Sequence, residues 1–338
     1  MSNGGSHILE VVDTSSLAET LEQDLGMERL DWRHVHLNRR GAWLGRPTLK
    51  SRGIARPHIG FKWNSEDASS TSWYPQGITG LRQGSRRFIA VSWYHRGSDH
   101  ARMSLVNVAN FSELRYRHVV LVEPAPDGDR RVFRPITSHA GGLATRGNLI
   151  YSAETGYGVR VFDSTRIFKV RTRAQVEDHY GMQPVAFGYQ YVMPQVAKYK
   201  LDQDGTRFSF CSMDRTDPEQ PMLLTGNYHS SSASYDNPPP TLAWWILAAG
   251  EITGRRRLVN TGLRNRTQGA IARGDNVWLS RSGGTPRLFA GPPGDLEAFS
   301  WPHGCEDLHL SLSGNLWCLT EHPNERIVFA VKLADYMP

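Results

Sequence analysis

From about residue 29 onward the apolar residues fall in short runs broken by Gly, Pro, Asn and Asp, a texture of brief strands joined by tight turns. One earlier stretch differs. Leu17, Leu21 and Leu25 recur at helical spacing, Asp13, Thr14 or Ser15 can cap them, and Gly26 can stop them, which predicts a helix over 13–26. The clearest strand group starts at Gly77-Ile78 and continues through 88–94, 103–108 and 116–122. Four antiparallel strands in succession are the unit of a β-propeller.

A motif supports that unit. A small or polar residue, then Gly, then an aliphatic residue leads after a few positions to a second Gly and a strand ending in Ser or Thr. Copies begin at Gln76-Gly77-Ile78, Gly141-Gly142-Leu143 and Gln268-Gly269-Ala270-Ile271, and a looser one at Glu306-Asp307-Leu308. The interval from Ile78 to Leu143 is close to half that from Leu143 to Ile271, so one degenerate unit is expected between them. Residues 191–201 followed by 207–212 are the candidates for its inner strands. The last unit, 308–333, has only three strands, and 32–37 is the candidate for its outer one, closing the ring by pairing the two ends. The expected fold is therefore all-β: one β-propeller of five blades, or six if 221–260 carries a separate short blade. Residues 1–28 read as an N-terminal arm with a short helix, and 29–338 as the propeller domain. The run 242–249 reads as a strand or a short helix, behind a rigid Pro238-Pro239-Pro240 loop.

Composition narrows the partners. The chain has 338 residues, 39% of them hydrophobic and 10% aromatic, enough for a sizeable core, and no linker separates two cores. Its 39 basic and 33 acidic side chains leave a net charge of +6, but the arginine clusters are scattered through predicted turns. A nucleic-acid partner would want one continuous basic face, so none is expected. Cys211, Cys305 and Cys318 make neither a disulfide framework nor a zinc spacing. No apolar run is long enough to span a bilayer, and residues 1–7 lack the apolar core of a signal peptide, which leaves compartment and oligomeric state open. Asn110-Phe111-Ser112 and Asn265-Arg266-Thr267 match the glycosylation sequon.

In a propeller blade, residues before the first strand share a face with residues after the second. Those positions are Gln76, His139, Gln268 and Glu306-Asp307, and then Tyr94-His95, Glu154, Asp214-Arg215, Arg281 and Glu321-His322. Together they describe a polar axial mouth. Trp73, Tyr74 and Trp301 are expected as its aromatic walls. Asp214 and Glu321 are a candidate carboxylate pair for glycoside hydrolysis. His303, Glu306, Asp307 and His139 could hold a structural cation, although their spacing matches no zinc or EF-hand motif, and no metal or cofactor is assigned. There is no P-loop, Rossmann fingerprint or nucleophile elbow.

Trp73-Tyr74-Pro75-Gln76-Gly77-Ile78-Thr79-Gly80, Val91-Ser92-Trp93-Tyr94-His95, Gly158-Val159-Arg160-Val161-Phe162-Asp163 and Leu319-Thr320-Glu321-His322-Pro323 resemble a family of fungal and actinobacterial β-propeller proteins, many of them secreted. The resemblance also takes in residues 116–124 and 191–195. The chain is similar, more distantly, to the fungal hetero-Diels–Alderases of tropolonic sesquiterpene biosynthesis. That second resemblance implies a cofactor-independent pericyclase of meroterpenoid biosynthesis. It would dehydrate a hydroxymethyl tropolone or phenol to a quinone methide and join it to a humulene-type alkene, with small apolar or aromatic molecules as its partners. His139 and Glu306 would serve as acid or base, and Gln76 and Gln268 as donors to the heterodiene oxygen. Trp73, Tyr74, Tyr94, His95, Arg281, Trp301 and His303 would bind substrate. The alternative is a secreted-type glycan-binding or glycan-cleaving propeller using the same aromatic and carboxylate positions.

Overall fold

Antiparallel pairing of successive strands builds five blades around one axis, and the ring is closed by strands from the two ends of the chain. The computed structural model describes residues 7–25, 27–97, 100–127, 130–155, 157–170, 188–202, 208–228, 241–262 and 266–337. From the axis outward, blade 1 is Trp73–Gln83, Arg86–His95, Ala101–Asn107 and Arg115–Asp127. Blade 2 is Leu143–Arg146, Leu149–Glu154, Gly158–Asp163 and Tyr191–Leu201. Blade 3 is Phe208–Asp214, Met222–Asn227, Thr241–Ala248 and Glu251–Asn260. Blade 4 is Thr267–Arg273, Asn276–Arg281, Arg287–Gly291 and Glu297–Ser300. Blade 5 takes Cys305–Leu310, Asn315–Thr320 and Ile327–Lys332 from the C-terminal end, then Pro57–Lys62 and Ala42–Leu44 from the N-terminal side.

Two expectations are corrected by this topology, and two open alternatives are decided. The closing strand is Pro57–Lys62, whose Lys62 pairs with Ile327 and Pro57 with Val331. Residues 32–37 instead begin as a short 3-10 turn, Trp32–His34, with Trp32 packed edge-on against Phe88. Tyr191–Leu201 is the outer strand of blade 2, not an inner strand, and Phe208–Asp214 is the innermost strand of blade 3. Residues 221–260 supply the remaining strands of blade 3, which fixes the count at five, and Thr241–Ala248 is a strand. Pro238-Pro239-Pro240 and Asn265 lie outside the described residues.

The expected helix is present as Ser15–Leu25, with Asp13 accepting from the Ser15 N–H. The short helices Arg46–Ser51 and Ser65–Ser69 carried no strong periodic signal. Ile8–Asp13 adds to the edge of Tyr191–Leu201, and Glu28–Leu30 pairs with Ile167–Lys169, so the beginning of the chain is stitched onto blade 2. Blades 1 and 2 are further joined where Val192 to Pro194 runs parallel to Val120 to Val122.

The core lies between blades as stacked apolar faces. Ala90, Leu105, Leu143, Ile150 and Phe162 fill the gap between blades 1 and 2, and Trp278, Leu308, Leu316 and Phe329 that between blades 4 and 5. Each buried Leu or Phe contributes on the order of 1.5–3 kcal/mol. All three cysteines are free and buried.

The two glycines of the repeat have separate physical causes. The second one turns the inner hairpin, where Gly147, Gly274 and Gly314 have φ of 59°, 63° and 74°. The first one lets inner strands approach. A Cβ on Gly142 would stand 2.2 Å from the Cys211 nitrogen, and one on Gly269 would stand 2.6 Å from the Asp307 Cα. In blade 5 the equivalent position is Asp307, and its carboxylate occupies the space those glycines leave. Asp307 Oδ2 accepts from the Ile78 N–H at 2.9 Å and the Leu143 N–H at 3.0 Å, tying blade 5 to blades 1 and 2.

Asp307→Ala leaves those two buried N–H groups without an acceptor, at about 1–3 kcal/mol each. Chemical denaturation should therefore show a loss of roughly 2–5 kcal/mol, with Asp307→Asn losing markedly less because an oxygen remains. A wild-type midpoint in Asp307→Ala would mean that the clamp contributes nothing.

Candidate functional site

At the end of the axis where inner strands begin, four of the five blades interrupt the regular pairing of their first two strands. The register shifts between Pro75 and Ile78, between Phe208 and Phe210, between Thr267 and Gly269, and between Cys305 and Leu308. Such bulges re-aim a side chain that would otherwise point into a face of the blade. Gln76, Gln268 and Glu306 sit within three of them, and their polar ends meet. Gln76 Nε2 donates to Glu321 Oε2 at 3.3 Å, Gln268 Nε2 donates to Glu306 Oε1 at 3.0 Å, and the Glu306 and Glu321 carboxyls hydrogen-bond each other.

Two carboxyls in hydrogen-bond contact cannot both be ionised. Burial, reinforced by the neighbouring Glu321, pushes the Glu306 carboxyl well above the usual range, and burial also raises Glu321. Glu306 is 1% exposed, whereas the Glu321 side chain is 21% exposed. Burial therefore favours the proton on the inner Glu306, and Glu321 is the carboxyl that faces the mouth. Arg326 holds Glu321 from behind, donating Nε–H to its carbonyl at 2.6 Å and Nη1–H to the Asp67 carbonyl at 2.8 Å. Burial draws the Arg326 guanidinium down to about 10, so it remains a cation at neutral pH.

An aromatic stack forms the wall beside the carboxyls. Tyr74 lies on Tyr94 at 5.5 Å between ring centroids, and Tyr94 lies on His139 at 4.4 Å. The Tyr94 hydroxyl is pushed up to about 12, first by burial and then by the neighbouring Glu321 carboxylate, so it is a donor at every physiological pH. Burial lowers His139, which favours its neutral imidazole. Tyr228, immediately after the second strand of blade 3, feels both glutamates as well. Arg281 ends the second strand of blade 4 opposite Thr267, at the same mouth. His303 lies tilted on His322 at 4.5 Å, with its Nδ1 3.6 Å from the Glu325 carboxylate, an exposed group on the rim.

Other expected residues stand elsewhere. Trp73 pairs with His95, one register position from Tyr74, and so both face the opposite side of blade 1. There Trp73 packs on the Arg102 guanidinium at 4.1 Å, and His95 lies on Trp73 and His100. Trp301 is buried against Phe329 and Tyr336 among the residues between blades 4 and 5, and is not a mouth wall. Asp214-Arg215 ends an inner strand instead of following a second strand, which puts it at the other end of the axis from Glu321. The proposed Asp214–Glu321 pair is therefore excluded, and Asp214 instead accepts from the Trp244 indole at 2.7 Å. Glu154 is turned to Arg160 at 2.7 Å. Among the described residues no three His, Cys, Asp or Glu side chains converge as a cation site, and Asp307 is committed to backbone.

Sequence reasoning missed the support behind the mouth. Asp67 is buried and accepts from Arg102 Nη2 at 2.7 Å, Tyr116 Oη at 2.6 Å and His118 Nε2 at 3.0 Å. Burial opposes its charge, but these donors win and hold its carboxyl well below the usual range. His118 is drawn down to about 3 by burial and by Arg102, so it is neutral. Its Nε2–H then faces Asp67 while Nδ1 takes the Ser104 hydroxyl, which in turn accepts from the Trp93 indole.

No family model matches the chain, and no curated protein does. Among solved structures the chain is similar to a GH43_1 enzyme from Xanthomonas citri complexed with xylose, at 12% identity and a TM-score of 0.42, over 84% of this chain and 92% of that one. It is similar to a thermostable family-43 glycoside hydrolase at 10% identity and a TM-score of 0.42, over 77% and 89%. It is also similar to the N11 neuraminidase-like protein of a flat-faced bat influenza virus, at 8% identity and a TM-score of 0.37, over 90% and 97%. None of these likenesses bears on the chemistry of the mouth.

Because Glu306 binds its proton more tightly folded than unfolded, its contribution is present below the unfolded carboxylate range and is lost as pH rises above it. Thermal melts from pH 5 to 8 should therefore show a smaller fall for Glu306→Gln than for wild type. Parallel curves would mean that Glu306 is ionised in the folded protein.

Proposed function

We propose that this protein is a carbohydrate-active propeller that binds a hydroxyl-rich saccharide at the mouth holding Glu306 and Glu321 and cleaves it by acid–base catalysis. The observation that carries the reading is the buried Glu306 carboxyl next to the partly exposed Glu321, each held by a glutamine amide, beside an aromatic stack. Pyranose rings present apolar C–H faces that suit the Tyr74–Tyr94–His139 wall. Their hydroxyls suit the mixed donors and acceptors of Gln76, Gln268, Tyr94 and Glu321. Glu306 is the proton reservoir, and Glu321 is the group exposed to a ligand. The family-43 glycoside hydrolases named above are enzymes on a similar strand layout, which agrees with this reading without supporting it independently.

One observation favours a second reading. Glycosidases that use two carboxyls keep them roughly 5–9.5 Å apart, and Glu306 and Glu321 are in contact. Hydrolysis by this pair would need Glu321 to swing toward the rim as the sugar enters. A contact pair suits a single proton delivery better, as in loss of water from a hydroxymethyl tropolone or phenol. The quinone methide so formed would then meet a humulene-type alkene with no cofactor. Here the Glu306 proton passes to the hydroxyl that leaves as water, and Glu321 takes the proton released from the ring hydroxyl, so the pair ends with one proton as it began. Gln76, Gln268 and Tyr94 donate to the heterodiene oxygen. His139, neutral and stacked, serves as a wall instead of an acid.

The two readings separate in one set of assays. Oligosaccharides and chromogenic glycosides are titrated and incubated with the protein, alongside a hydroxymethyl tropolone with a hydroxylated humulene. The saccharide reading expects saturable binding weakened about tenfold or more by Tyr94→Ala, and turnover reduced by about 10²–10⁴ in Glu321→Gln. No saccharide binding, together with an adduct whose stereochemistry differs from an enzyme-free control, would replace it by the cycloaddition. Full turnover in Glu321→Gln would remove the carboxyl pair from either mechanism.

A further inference from the structure

The opposite end of the axis, where the inner hairpins turn, holds a cavity of about 410 Å³ that the reading above does not use. It is framed by the ends of inner strands in blades 1, 2, 3 and 5, including Gly80, Thr145, Met213 and His309. One part of its lining is apolar, with Leu81, Phe88, Ile89, Val108 and Trp317. Two large apolar side chains stand at its edge in water, Phe111 at 59% exposure and Leu312 at 73%. Its charged lining is of one sign: Arg82, Arg87, Arg146 and Arg215, with no Asp or Glu among the lining residues.

These arginines are not consumed by the fold. Arg146 donates Nη1–H to the Leu247 carbonyl at 2.9 Å, and Arg215 donates Nη2–H to the Thr145 carbonyl at 2.7 Å, which fixes both without neutralising them. Among the described residues none of the four has a carboxylate within ion-pair distance, whereas Arg39, Arg40, Arg102, Arg115, Arg160 and Arg166 all do. Four cations converging on one apolar hollow repel one another, and an anion seated there relieves that repulsion. The floor is close-fitted as well. A Cβ on Gly80 would come within 2.6 Å of His309 Nε2, so this glycine lets the imidazole close the bottom of the hollow.

We propose that this cavity is a binding site for a small amphipathic organic anion, its apolar body against Leu81, Phe88 and Phe111 and its acidic group among Arg82, Arg87, Arg146 and Arg215. The volume admits a body on the order of twenty non-hydrogen atoms. The anionic group can be carboxylate or phosphate, since arginine forks fit both. The site is separate from the glutamate mouth and does not depend on what is bound there.

The test is calorimetric titration with 1-naphthoate, 1-naphthyl phosphate and, as the uncharged counterpart, 1-naphthylmethanol. One anion should bind at one molecule per chain, about tenfold or more tighter than the alcohol, and weaken as salt is added. Whichever anion binds more tightly identifies the preferred acidic group. The double variant Arg82→Gln with Arg87→Gln, both on the surface and safe for folding, should weaken it about tenfold, and Arg215→Gln should do the same. Glu321→Gln, at the other mouth, should leave it unchanged. Equal affinity for the alcohol, no saturation by about 5 mM, wild-type affinity in the arginine variants, or loss of binding in Glu321→Gln would each overturn the proposal.

Discussion

The ladder between Ile327–Lys332 and Pro57–Lys62 is the constraint on which everything else depends, because it turns a row of five sheets into a ring. Once the ring is closed, five inner strands must share one narrow axis. Side chains at the start of those strands then compete for the same space, and glycine is the ordinary solution at Gly77, Gly142 and Gly269. Blade 5 solves the problem differently. It places a carboxylate there and uses it to collect backbone N–H groups from the adjacent blade 1 and, across the axis, from blade 2. The crowding that demands glycine in three blades thus creates the pocket that a single aspartate fills.

The same crowding explains the mouth. Where the inner strands cannot stay in register, they bulge, and the residue released by each bulge turns toward the axis. Gln76, Gln268 and Glu306 are brought together by this common distortion although they lie far apart in the sequence. Behind them, Arg326 connects the carbonyl of Glu321 to that of Asp67, whose own charge is met by Arg102, Tyr116 and His118. The position of the exposed glutamate is therefore set by a charged network buried deep in blade 1 and its neighbours, not by the loop that carries it.

Much of this was readable from the residues. The paired glycines and the strand-ending Ser and Thr located the inner strands of blades 1, 2, 4 and 5, and with them the polar positions that meet at the axis. The reading failed where the repeat weakens. Blade 3 lacks the first glycine, and Tyr191–Leu201 reads like an inner strand because it is largely buried, with Gly158–Asp163 paired along one edge and Ile8–Asp13 along the other. Taking it for an inner strand shifted blade 3 by one strand, sent Asp214 to the wrong end of the axis and hid Tyr228, which occupies the position that Glu321 holds in blade 5. Trp73 and His95 show a different limit. Alternation along a strand decides which of two adjacent aromatics faces the axis, and a one-residue bulge reverses that choice without leaving a mark in composition. Asp67, His118 and Arg102 are scattered polar residues whose partnership only the fold creates.

The four arginines without carboxylate partners leave the hairpin end of the axis with a positive charge that the fold does not cancel. A hollow with low-dielectric walls focuses such a field. An anion drifting past is therefore drawn toward that end before it makes any contact, and added salt weakens the pull. Against an anionic surface the ring arrives hairpin end first.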